Sequence, residues 1–325
     1  MRSRLFISGN EAVAMAAVRC GVHLATGYPG TPTTEIIDWL IDHPGPHRAF
    51  WHTNEKTALE LGIGGAVHPG ARALVVMKHV GLNVAADAFK SVAVTGITGG
   101  LVLVVGDDPG MHSSQNEFDS RVYAEDAGVC VIEPTNPRDC FDLLETAFEL
   151  SEQTGGLVLF RMTTRVAHAR GPVEPSESDP PAPRNVDPAR PDPAQYVVTP
   201  NFARPNVRTL YETKIPERRA LAEAHALNRI IEGPDRRIGL ITCGVAHRHA
   251  LELVHDLGLP MLHLGFPLPL PENKVRTFAE SVGKVILFDD GYALQDRIDR
   301  AGIRLLNAHG SRRMGEWTLE DIRRT

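Results

Sequence analysis

The sequence predicts an α/β protein built on a doubly wound parallel sheet, followed by a second, smaller α/β unit. Three observations predict it. Continuous apolar runs such as Leu101-Val102-Leu103-Val104-Val105 have the composition of strands buried on both faces, as parallel sheets require. Segments of helical composition alternate with these runs, the order in which crossover helices join parallel strands. The alternation stops in a Pro-rich, acidic stretch and then resumes. This divides the chain into residues 1–170, a linker over 171–214 and a second unit over 215–325. A length of 325 residues agrees with two domains.

Residues 1–9 read as a first strand, with two arginines and a short apolar run but no long apolar core of a signal peptide. Residues 10–20 read as a helix with Asn10 as N-cap and Gly21 as its stop. A short strand at 22–26 leads into a loop, 28–32, shaped by two prolines, and Thr33 or Thr34 opens the helix that runs to Asp42. Residues 54–67 form a helix so rich in alanine and glycine that a neighbour must pack close to its backbone. A buried strand at 73–78, a helix at 84–95, the strand 101–105, a strand at 129–133, a helix near 137–153 and a strand at 157–161 complete the first unit. In the linker, PVEPSESDPPAPRNVDPARPDP carries too little apolar surface to fold alone and is expected to be extended. The second unit reads as helix 217–232, strand 238–242, a turn at Gly244, helix 246–257, and strands at 261–264 and 285–289.

Composition excludes several classes. A net charge of −6 lacks the basic face of a nucleic-acid binder. No apolar run reaches the roughly 18 residues that span a membrane. A cytoplasmic location is expected. The four cysteines, Cys20, Cys130, Cys140 and Cys243, form no C-x-x-C pair, so neither an iron–sulfur cluster nor a metal site is expected in this chain, and the thiols read as buried and reduced.

In open parallel sheets, ligands gather at the carboxyl ends of strands. Four polar loops sit there in the first unit, at 26–34, 51–56, 78–83 and 107–117. Solvated loops are ordinary one at a time. Four on one side of one sheet suggest a site held on a rigid scaffold. Glu55 is the most informative residue among them. It opens a helix of small residues, where the dipole favours a carboxylate, and position alone favours simple capping beside Asn54.

The strings GNEAVAMAAVRCGVHLATGYPGTPTTEI, NEKTALE, MKHVGLNVAAD and DDPGMHSSQNEFDSR occur in this order over about residues 7–170. Together they resemble the pyrimidine-binding domain of 2-oxoacid:ferredoxin oxidoreductases, and most nearly the indolepyruvate:ferredoxin oxidoreductase alpha subunits. ITCGVAHRHAL, LGFPLPLP and GEWTLEDI resemble the transketolase C-terminal-like domain that follows in that family. The resemblance implies a thiamine diphosphate-binding fold and a cofactor shared with a partner. Glu55 is then the acid that hydrogen-bonds the aminopyrimidine ring and favours its imino tautomer. Tyr28 and Pro29 belong to the loop approaching the cofactor, and Thr31 donates to the substrate carboxylate. His79 and Lys78 hold an anionic species, with Asn83 and Asn116 as further polar contacts. Arg121 faces either the substrate or the sheet edge.

Such an enzyme also needs a diphosphate site, whose Gly-Asp-Gly and downstream Asn hold Mg²⁺. Here Gly106-Asp107-Asp108, with Asn136 downstream, only echoes it. Asp108 replaces the second glycine, and Pro109 lacks the amide proton. The expectation is therefore a separate diphosphate-binding subunit carrying Mg²⁺, an electron-transfer partner that holds any iron–sulfur cluster, and a dimer or hetero-tetramer acting on a 2-oxoacid, aryl 2-oxoacids first. A subunit of a non-oxidative 2-oxoacid decarboxylase and a non-catalytic scaffold are the alternatives. The Asp289-Asp290-Gly291 turn of the second unit reads as part of a docking domain, or as facing a partner or coenzyme A.

Overall fold

The computed structural model describes residues 4–175, 185–188, 191–306 and 314–325, and only the backbone of 253–256. The first unit runs β1 (Leu5–Ser8), α1 (Gly9–Arg19), β2 (Leu24–Gly27), α2 (Thr34–Asp42), β3 (Arg48–Trp51), α3 (Glu55–Ala66), β4 (Arg72–Lys78), α4 (His79–Val84), α5 (Ala86–Thr95), β5 (Gly100–Asp107), α6 (Arg121–Ala127), β6 (Cys130–Ile132), α7 (Pro137–Thr154), β7 (Val158–Thr163), α8 (Thr164–His168) and β8 (Arg170–Val173). After it come α9 (Pro193–Tyr196), α10 (Pro200–Thr209) and a π turn (Leu210–Lys214) that runs into α11 (Ile215–Ala224). The second unit continues with β9 (Asn228–Ile231), β10 (Ile238–Thr242), α12 (Gly244–Leu257), β11 (Met261–Leu264), α13 (Glu272–Glu280), β12 (Lys284–Phe288), α14 (Ala293–Arg300) and α15 (Leu319–Arg324).

The six-stranded sheet has the order β3-β2-β4-β5-β7-β6, and all its pairs are parallel. This is the doubly wound sheet the apolar runs predict. The central strands β4 and β5 are buried along their whole length, which is why they are uniformly apolar between their ends. The small residues of α3 meet the sheet as expected. A Cβ on Gly62 would stand 2.3 Å from Cγ2 of Val75, and one on Gly65 would stand 3.0 Å from Cδ2 of Leu24. The second sheet, β12-β10-β11-β9, is parallel except for its edge strand β9. All four cysteines are buried.

Several expectations need correction. Ser8 and not Asn10 caps α1, in a capping box with Glu11, while buried Asn10 donates to the Pro32 carbonyl at 2.7 Å and to Glu35 at 2.8 Å. The first strand pairs only with β8, antiparallel and outside the main sheet. β3 supplies an edge strand to the main sheet that the sequence reading passed over. The helix foreseen at 84–95 is α5, Ala86–Thr95, and most of the loop foreseen at 78–83 is the short helix α4, His79–Val84, which meets it at Ala85. The helix foreseen at 217–232 ends at Ala224, and β9 follows. Asn228 makes that switch: its amide donates to the Ala222 and Phe266 carbonyls and its Oδ1 accepts from the Phe266 amide. Part of the foreseen linker is ordered. The Asp187 amide donates to the Pro69 carbonyl at 2.9 Å, and Gln195 donates to the Thr95 carbonyl at 3.1 Å, which lays α9 beside α5. Residues 176–184 and 189–190 of that linker lie outside the described residues.

Candidate functional site

The four polar segments, three loops and the start of α4, follow β2, β3, β4 and β5, which are adjacent in the order β3-β2-β4-β5. They therefore form one continuous carboxyl edge. Chain progression reverses direction between β2 and β4, and that switch point is where open sheets bind ligands.

The loop after β2 folds across this point. The Tyr28 amide donates to the Val76 carbonyl at 3.3 Å, and Gly30 sits so close to Lys78 that a Cβ would stand 2.9 Å from the lysine Cβ. Thr34 Oγ1 accepts from the Gly30 amide at 2.9 Å, which closes the turn. Tyr28, Pro29 and Thr31 are exposed. Thr33 is the N-cap of α2, without a side-chain cap bond.

The loop after β3 ends at Asn54, whose Oδ1 accepts from the Thr57 amide at 3.0 Å and caps α3. Glu55 follows as the first helical residue and is half-buried. Its side chain crosses to α4 and lies against Gly81, where an added Cβ would be 2.5 Å from Glu55 Cγ and 2.6 Å from Oε1. Among the described residues no donor is bonded to this carboxyl.

β4 delivers Lys78 and α4. Lys78 is buried, and Nζ donates to the Ser113 carbonyl at 2.6 Å. Burial lowers its pKa, with the Asp108 charge acting the other way. His79 is 0% exposed. Its Nδ1 lies 3.3 Å from the Gly106 carbonyl and its Nε2 lies 3.3 Å from both the carbonyl and Oδ1 of Asn116, with Phe118 edge-on at 4.7 Å. The expectation of a direct His79 contact with a bound molecule is therefore corrected: the ring is sealed beneath α4 and acts as its support. Asn116 is exposed and holds this ring, and Asn83 is exposed with Oδ1 accepting the Tyr123 hydroxyl.

The loop after β5 is organised by Asp108. Its carboxylate accepts from the Ser113 amide at 2.8 Å, Ser114 Oγ at 2.5 Å and Thr164 Oγ1 at 2.7 Å. Burial acts to raise its pKa, and these hydrogen bonds outweigh it and hold the carboxyl below its ordinary range. Glu117 accepts from the amides of Gly110 and Gly315, and Glu316 receives His112 and Arg165. The loop presents Met111 with φ 53.

Arg121 is the second correction. It is neither at the substrate side nor at the sheet edge but buried between the two units. It donates to Asp119 at 2.7 and 2.8 Å, to Asp289 at 2.7 and 2.8 Å and to Glu133 at 3.2 Å. Arg161 joins it, donating to Asp107, to Glu133 and to the Asp290 carbonyl. The acids of the second unit thus face the first unit. The echo of a diphosphate motif dissolves in the same network: Asp107 is paired with Arg161, and Asn136 caps α7. The sequence reading missed Arg161, Asp119, Glu133 and Gly81. Charged residues embedded in or directly after apolar strands, Arg161 in LVLFRM and Glu133 after VCVI, were the available signal.

The sequence matches the family described as "Pyruvate flavodoxin/ferredoxin oxidoreductase, thiamine diP-bdg" over residues 15–232. The chain is 41% identical over 297 residues to the indolepyruvate oxidoreductase subunit IorA of Methanothermobacter marburgensis, covering 88% of this chain and 47% of that protein. It thus spans about half the length of the curated relatives it matches at this level. The 2-oxoglutarate:ferredoxin oxidoreductase of Magnetococcus marinus has the same fold, with a TM-score of 0.77 at 15% identity over 99% of this chain and 64% of that one. A split-gene transketolase superimposes with a TM-score of 0.56 at 13% identity over 90% of this chain and 85% of that one.

Proposed function

Because this chain belongs to the thiamine diphosphate-binding pyruvate flavodoxin/ferredoxin oxidoreductase family, we propose that it is the pyrimidine-binding subunit of a 2-oxoacid oxidoreductase and that Glu55 is its catalytic acid–base. One observation carries the reading. A half-buried carboxyl stands at the switch point of the sheet, over a glycine, with no donor bonded to it among the described residues. Asp108 and Glu117, on the loop after β5, are by contrast both engaged by hydrogen-bond donors. A carboxyl left open in this way fits a hydrogen-bond partner that arrives with the cofactor.

Thiamine diphosphate, when bound, supplies the nucleophilic carbon that attacks the 2-oxoacid and the electron sink for loss of CO2. Glu55 holds a proton between its Oε and the aminopyrimidine ring nitrogen, which favours the reactive tautomer. The exposed Thr31 hydroxyl donates to the substrate carboxylate. Lys78, fixed beneath Gly30, places positive charge beside the developing anion. Tyr28 and Pro29 border the cofactor, Asn83 and Asn116 offer polar contacts at the rim, and His79 keeps α4 in place.

The diphosphate and its Mg²⁺ are assigned to a partner subunit, and electrons leave through an iron–sulfur cluster on a partner. Tyr28, Val84 and Met111 support such a partner surface, being 39%, 51% and 42% exposed around this edge. The relatives named for indolepyruvate support an aryl 2-oxoacid as substrate. The assembly is a hetero-oligomer, and its location is the cytoplasm. No described helix is long and apolar enough to cross a membrane.

The experiment is Glu55→Gln in the complex with its diphosphate-binding partner, assayed with thiamine diphosphate, Mg²⁺ and indolepyruvate. A loss in kcat of about 10²–10⁴-fold is expected from removal of one acid–base group. Turnover equal to the unaltered complex sinks the reading.

A further inference from the structure

We infer that Gly81 is a positioning residue: its missing side chain sets where the Glu55 carboxyl stands. The inference rests on the catalytic reading of Glu55. Three observations carry it. The first is contact. An added Cβ at position 81 would meet Glu55 Cγ at 2.5 Å, Oε1 at 2.6 Å and Cδ at 2.9 Å, all closer than real Cβ contacts come. The second is that α4 has nowhere to retreat. Its first residue, His79, is fully buried between the Gly106 carbonyl and Asn116, and Lys78 before it is tied to the Ser113 carbonyl at 2.6 Å. The third is that α3 is fixed as well. Asn54 caps it, and Gly62 and Gly65 pack it directly on the sheet, where added Cβ atoms would stand 2.3 Å from Val75 and 3.0 Å from Leu24.

With both backbones held, the movable part is the Glu55 side chain. A methyl group at position 81 therefore displaces the carboxyl while the helices stay in place. Gly81 lies in a helix with ordinary backbone angles, where alanine is the better helix former. The fold should accept Gly81→Ala without loss. This separates the position of the acid from its presence, because Glu55 remains in the chain.

The test uses the complex with its diphosphate-binding partner, thiamine diphosphate, Mg²⁺ and indolepyruvate. It compares Gly81→Ala, Glu55→Gln and the control Gly64→Ala. Gly64 lies in α3, and a Cβ there meets nothing within 4 Å. In Gly81→Ala the melting midpoint is expected to be unchanged or higher. The circular-dichroism band of the bound pyrimidine's imino form should be lost, KM for the 2-oxoacid should change less than about three-fold, and kcat should fall at least about ten-fold, on the way to the effect of removing an acid–base group. Gly64→Ala should match the unaltered complex in kcat, KM and the imino band, with a melting midpoint unchanged or higher. Full kcat and an intact imino band in Gly81→Ala, with Glu55→Gln inactive, overturn the positioning role and leave the catalytic one standing. An active Glu55→Gln overturns both.

Discussion

Glu55 and Arg121 are both charged residues near the carboxyl edge, and burial separates what they do. Glu55 is half-buried with no donor bonded to it among the described residues, whereas Arg121 is fully buried with every nitrogen of its fork directed at a carboxylate. Burial acts to raise the Asp119 carboxyl, and the charges of Arg121 and Arg161 outweigh it and hold it well below the usual carboxylate range. Removing one member of such a set leaves uncompensated charge in the interior. Arg121→Met is expected to cost about 3–5 kcal/mol. Urea unfolding checks this: an unchanged midpoint would mean that the network holds nothing together. At this scale the sequence was legible where the meaning is local. Asn54 and Glu55 announce a capped helix start by themselves. Gly81 and Arg121 were opaque, because each takes its meaning from contacts distant in sequence, with Glu55 and with Asp289.

The elements that the sequence made plain are those with two buried faces. β4, β5 and β7 are buried at every position, and their apolar runs survive any reading. β3, β8 and β9 are 4 residues long, partly exposed and at sheet edges, so their patterns are weak. The parts of the candidate site after β4 and β5 were legible because they follow uniformly buried strands, whereas the turn after β3 was legible from Asn54 and Glu55 themselves. Helix α4 was not, since its six residues, HVGLNV, include a glycine and polar side chains and read as a loop. A further element contact governs acid stability. His247 of α12 stacks on His263 of β11, ring centroids 3.7 Å apart, and the Thr242 hydroxyl lies 2.9 Å from Nδ1 of His247. Burial, then the charges of neighbouring His263, Arg229 and Arg248, lowers His247 to about 2. Burial and Arg229 lower His263 to about 3. A base whose folded pKa is depressed binds fewer protons when folded, so its contribution is present above the unfolded value of 6.5 and is lost as pH falls through the folded values. The second unit is expected to lose stability steadily below pH 6.5, and His263→Phe should flatten that slope. Melting curves across the range check it, and an unchanged slope in the variant would remove the pair as the cause.

Across the whole molecule, two guanidinium groups, Arg121 and Arg161, face five buried carboxyl groups, Asp107, Asp119, Glu133, Asp289 and Asp290. The imbalance falls on Asp290, which burial pushes up to about 7, with the Trp317 amide opposing and the Asp289 charge adding. Here the sign is opposite to that of the histidines. A carboxyl with a raised folded pKa contributes stability that is complete below 3.8 and lost as pH rises to about 7. Burial also raises Asp289, which acts in the same direction as Asp290 and opposite to the histidine pair. Asp290→Asn should steepen the gain in stability on going from acid to neutral pH, measured by the same melts, and an unaltered profile would show that Asp290 does not titrate in this window.

Gly244 adds to the junction, for a Cβ there would stand 2.5 Å from Glu133 Oε1, and the Val131 amide donates across it to the Leu268 carbonyl at 2.8 Å. The two units are therefore not interchangeable modules. A chimera that takes its first half from one relative and its second from another must bring Arg121 and Arg161 together with acids that match them, or it inherits stranded charge at the seam. Swapping the outer loops to retune what the protein accepts leaves that seam alone, and is the safer route to new variants.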